Sequence, residues 1–88
     1  MQDGHVILGI HVTDRLKDAV PVQKVFSEYG CNIKTRVGLH DVGEQHCSPS
    51  GIVLIEFFGS EADADAMAAK LNAVEGVDVK KMVFGHDA

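Results

Sequence analysis

Cys31-Asn-Ile-Lys-Thr-Arg-Val-Gly-Leu39 and Gly51-Ile-Val-Leu-Ile-Glu-Phe-Phe58 are two β-rich runs, separated by the polar segment 40–50 with its Gly43 and Pro49. Runs of this kind around a Gly- and Pro-containing connection read as two strands of a hairpin with a long loop. A lone hairpin is marginal in water, so the pair is expected in the middle of a small sheet. Alternation along the first run puts Cys31, Ile33, Thr35, Val37 and Leu39 on one face, and Asn32, Lys34, Arg36 and Gly38 on the other. The second run is apolar except for Glu56, which implies burial on part of both faces. Val53, Ile55 and Phe57 suit a helix-covered side. Ile52, Leu54 and Phe58 then need another cover, and a partner subunit is the simplest. Lys34 and Arg36, opposite the Ile33/Val37 set, are placed to pair with Glu56.

The flanks complete the pattern. His5-Val-Ile-Leu-Gly-Ile-His-Val12 alternates, with Val6, Leu8, Ile10 and Val12 as its core face. Thr13 or Asp14 can cap a following helix whose stripe is Leu16, Ala19, Val22, Phe26 and Tyr29. That stripe favours a start near residue 15, which leaves Pro21 inside the helix, and Gly30 stops it. Ser60-Glu-Ala-Asp63 is a capping-box pattern opening a second helix with Ala64, Met67, Ala68, Leu71 and Val74 inward. Gly76 ends it, and residues 77–84 form the last strand. The order β-α-β-β-α-β is that of an α+β ferredoxin-like sandwich. Right-handed crossovers place both helices on one face of a four-stranded antiparallel sheet of order 4-1-3-2, leaving the other face bare.

The chain has 88 residues and a formal net charge of −5. That length holds one domain, with residues 5–84 as its core, and buries only about 60–65% of the unfolded surface. A core this thin, together with an apolar second sheet face, predicts a homodimer or homotetramer. Eight Lys and Arg with no basic stripe exclude a direct nucleic-acid surface. No apolar run approaches a membrane span, and no charged leader with an apolar core opens the chain. The expectation is a soluble cytoplasmic protein. Two cysteines make no disulfide framework, and Cys31, at the start of an apolar strand, reads as a small buried hydrophobe.

Two candidate sites emerge. His11, Thr13, Asp14 and Arg15 surround the start of the first helix, where free amides and a guanidinium can hold a carboxylate or phosphate. The plainer alternative is a strand-end histidine and a solvated arginine. His40, Asp41, His46 and Cys47 share one loop, and imidazole with thiolate suits Zn or Ni. The same loop composition also serves an ordinary polar hairpin connection. No Ser/His/Asp order, no cysteine with an evident base and no Gly-rich phosphate loop is visible, so the chain reads as a non-enzyme without a resident cofactor.

The stretches 6–15 and 25–30, Ile33 with Thr35-Arg-Val-Gly-Leu39, and Lys70-Leu71 through Gly76-Val-Asp-Val-Lys80 resemble ACT-like domains. In particular, they resemble the stand-alone family of iron-only hydrogenase system regulators. The resemblance implies a regulatory domain that dimerises side by side or through open sheets. It also implies a small effector at the subunit interface, at the loop 11–17, and an output read by a regulatory partner protein. In that loop Asp14-Arg15 is followed by Leu16-Lys17-Asp18, where amino-acid-binding members often carry Pro and Gly. A structural or assembly module binding a partner protein without an effector, and a metal sensor using residues 40–47, are the alternatives.

Overall fold

The computed structural model describes residues 4–42 and 47–85, with the side chains of Arg15, Leu16 and residues 39–50 outside that description. Strand β1 (Gly4–Val12) leads into helix α1 (Arg15–Glu28), a 3-10 turn (Gly30–Asn32) and strand β2 (Ile33–Val42). Strand β3 (Cys47–Phe57), helix α2 (Glu61–Asn72) and strand β4 (Val77–Gly85) follow. All pairings are antiparallel and the sheet order is β2-β3-β1-β4. With both helices on one face, this is the expected ferredoxin-like sandwich. No helix among the described residues is long and apolar enough to cross a membrane.

The core lies between the sheet and the helices. Val6, Leu8, Ile10 and Val12 of β1 and Ile55 and Phe57 of β3 are buried against Val22 and Phe26 of α1. Ala64, Met67 and Leu71 of α2 close it from the other side, with Ala68 and Val74 partly buried beside them. Alternation in the strands and 3.6-residue spacing in the helices therefore give the sheet one dry side. In α1 the expected position Ala19 is exposed and Asp18 is buried instead, one step around the helix. Pro21 sits within α1, where it removes the bond to the carbonyl of Lys17.

Helix α2 starts as the capping pattern requires. The Ser60 hydroxyl accepts from the Asp63 amide at 3.0 Å. Glu61 and Asp63 stand in its first turn and Lys70 in its last, matching the helix dipole at both ends. Ser60→Ala will cost about 1 kcal/mol through loss of this cap. The check is a thermal melt, in which the midpoint should fall by roughly 4–8 °C. An unchanged midpoint would mean that the cap carries nothing.

The structure corrects three expectations around β2. Cys31 is exposed in the 3-10 turn and does not begin a buried strand. The helical path continues one more turn there because the Asn32 amide donates to the Tyr29 carbonyl at 2.8 Å. Asn32 then clasps the end of β3: its side-chain amide donates to the Phe58 carbonyl at 2.9 Å, and its carbonyl accepts from the Phe58 amide.

The second correction is a β-bulge. Ile33 pairs with Phe57 and Thr35 with Glu56, so β2 spends one extra residue there and its alternation changes phase. Arg36 therefore falls opposite buried Ile55 on the helix side, and Val37 opposite Leu54 on the open side. Of the two basic residues only Lys34 reaches Glu56, at 3.9 Å.

The third is the hairpin. Its strands run through most of the segment 40–50 read as loop, with Val42 paired to Cys47. A register shift between His40 and Val42 absorbs extra residues of β3, Pro49 among them, and a bulge is where a sheet tolerates proline.

Candidate functional site

At the β1–α1 junction, the Thr13 amide donates to the Gly76 carbonyl at 2.9 Å and ties this turn to the one between α2 and β4. Asp14 is the cap of α1. Its Oδ1 accepts from the Lys17 amide at 3.2 Å and its carbonyl from the Asp18 amide at 3.0 Å. Arg15 opens the helix. His11 is not part of this group. It alternates with buried Ile10 and Val12, so it is exposed on the opposite, open face, in register with Ile52 and Asp78.

Of the four metal candidates, His40 pairs with Gly51 and Cys47 with Val42 in the backbone ladder. His46 and the side chains of His40, Asp41 and Cys47 lie outside the described residues. Among the described residues no group of three His, Cys, Asp or Glu could hold a metal ion.

On the helix side the fold builds a feature absent from the sequence reading. A cleft of about 260 Å³ opens between α1 and the β2–β3 flank of the sheet, walled by Val12, Val22, Phe26 and Val53. Asp18 and Arg36 are its charged members. Asp18 is 5% exposed, and its Oδ2 lies 3.2 Å from where a β-carbon on Gly76 would stand. Gly76 has φ of +84°, so a side chain there would be strained as well as crowded. The Arg36 guanidinium sits 4.6 Å above the Phe26 ring. The signal for Asp18 was in the sequence, at the i−4 position of the Val22/Phe26 stripe. Arg36 could not be placed without the bulge.

The open face is the second feature. Val37, Ile52, Leu54, Phe58, Met82 and Phe84 are all exposed large hydrophobics on it. In their midst, Glu56 accepts from His5 Nδ1 at 2.8 Å, with Lys34 Nζ 3.9 Å away. The hydrogen bond from His5, and secondarily the Lys34 charge, hold the Glu56 carboxyl below its ordinary value of 4.5. A carboxylate with a depressed folded pKa stabilises the fold above its unfolded pKa. That contribution is lost as pH falls below about 4.5 and through the folded value. His5→Ala will move the Glu56 pKa upward, readable by carbon NMR of the carboxyl. A pKa that stays put would remove His5 as the cause.

This architecture has a solved counterpart. The chain is similar to an uncharacterized protein from Thermotoga maritima, with a TM-score of 0.76 and 25% sequence identity. The match covers 91% of this chain and 95% of that one. The likeness therefore extends over most of the ferredoxin-like sandwich. No family model matches the chain, and no curated protein does.

Proposed function

We propose that this chain is a stand-alone ACT-like regulatory domain that works as a homo-oligomer, senses a small effector and performs no catalysis. The observation that carries this reading is the open sheet face. Six large apolar side chains lie exposed there around one ion-paired carboxylate. Contiguous apolar surface rimmed by charge is characteristic of an interaction site. A second copy covering this face supplies the support that a thin core of 88 residues lacks.

The mechanism is population shift. An effector held near the start of α1, at Thr13, Asp14 and Arg15, favours one arrangement of subunits over another. The crosslink from Thr13 to Gly76 joins that end of α1 to the start of β4, so a change at the junction reaches the sheet. The resemblance to iron-only hydrogenase system regulators supports a partner protein of such a system as the reader of the change. A second reading rests on the same face: an assembly module whose apolar surface meets a different protein and binds no effector.

Native mass spectrometry of untagged protein from its own host tests the proposal. An oligomer carrying a small-molecule adduct is the expected result. A ligand-free, metal-free oligomer moves the assignment to the assembly module, and a monomer at tens of micromolar overturns the homo-oligomer.

A further inference from the structure

The geometry points to the α1/β2 cleft as a binding site for a small apolar carboxylate, with Arg36 as the group that receives its anionic end. The inference rests on this cleft alone and holds whether or not a second copy covers the open face. Lys17, Lys34, Lys70, Lys80 and Lys81 each have a carboxylate within 4 Å. Among the described residues Arg36 and Lys24 have no such ion pair, and of these two only Arg36 lines the cleft, where its described contact is the face of Phe26. Stacking uses the π surface of the guanidinium and leaves its in-plane N–H fork available, the geometry that matches a carboxylate.

The cleft beside it is walled by Val12, Val22, Phe26 and Val53. Its volume of about 260 Å³ is below the roughly 300–1,000 Å³ of drug-sized sites, so the ligand is short. Asp18, the other charged group of the cleft, has its Oδ2 against Gly76, 3.2 Å from where a β-carbon there would stand. An anion with a branched or aromatic tail fits the apolar walls and the Arg36 fork, and leucine tests whether Asp18 also receives an ammonium.

The test is titration of the full chain with 4-methylpentanoate, its neutral amide and leucine, followed by amide chemical shifts. The expected result is saturable shifts at Val22, Phe26, Arg36 and Val53, with a dissociation constant on the order of 1 mM. The amide should bind about tenfold more weakly. Arg36→Gln should lose the acid's advantage over the amide, and Arg36→Lys should retain part of it, with circular dichroism checking both folds. Three outcomes overturn the inference: no saturable shift up to about 20 mM, equal binding of acid and amide, or leucine binding tighter than the acid. A monomer in the native mass spectrum would leave each of these readouts intact, so the two proposals fail separately.

Discussion

Phe57→Ala will destabilise the fold by about 3–5 kcal/mol, whereas Phe58→Ala will leave the monomer's stability nearly unchanged. The two residues are neighbours of one kind on opposite sides of the sheet. Phe57 is 0% exposed and Phe58 57%. Phe57 packs between β1 and the helices, with the Tyr29 ring 6.3 Å away and tilted by 52°. Its ring also fills the space above Gly59, where a β-carbon would come within 3.1 Å of it. Truncation of a buried Phe costs about 3–5 kcal/mol, because the lost transfer energy adds to a cavity that collapses only in part. Domain stabilities run at roughly 0.05–0.15 kcal/mol per residue, which leaves a chain of this length little margin. Urea unfolding measures both variants. Equal midpoints for the two would mean that the assignment of sheet faces is wrong.

In the proposed oligomer, Leu54→Glu will separate the subunits while each keeps its secondary structure. Leu54 lies on the open face, 38% exposed, and its Cδ2 is 3.6 Å from where a side chain on Gly9 would begin. In the monomer a glutamate there meets water. In the proposed assembly it is buried on the same face as Glu56, which already engages His5 and Lys34. An uncompensated buried charge at an interface centre costs several kcal/mol, so association should weaken by on the order of 100-fold or more. Light scattering at tens of micromolar reads the change. Lys24→Glu, on the exposed side of α1, is the control and should leave the mass unchanged. If Leu54→Glu keeps the wild-type mass, copies of this chain do not meet through the open face.

Most of the sandwich was legible in the sequence because its signals are periodic. Val6, Leu8, Ile10 and Val12 announce a one-sided strand, and Ala64, Met67 and Leu71 a one-sided helix. Ser60 and Gly76 mark where the second helix begins and where the chain turns afterwards. What escaped was aperiodic. The extra residue near Lys34 leaves no mark in composition, yet it decides the faces of Arg36 and Val37. Cys31 looked like the first residue of a strand because Gly30 reads as a full stop, while the backbone takes one more 3-10 turn. Of the candidate site, the cap at Asp14 was legible as helix-start chemistry. The cleft was not, since its walls come from β1, α1 and β3 together and Arg36 joins them only through the bulge.

The bulge in β2 has a consequence for comparing this chain with others of its fold. It acts as a reading frame. Upstream of it odd-numbered positions of the strand look toward the helices, and downstream the even-numbered ones do. Deleting one residue there would leave the composition almost untouched and turn Arg36 from the cleft to the open face, with Val37 moving the other way. At 25% identity an alignment gap set one place off makes the same exchange on paper. Two homologues that differ by a single residue in this strand can thus present its cation on opposite faces of the sheet.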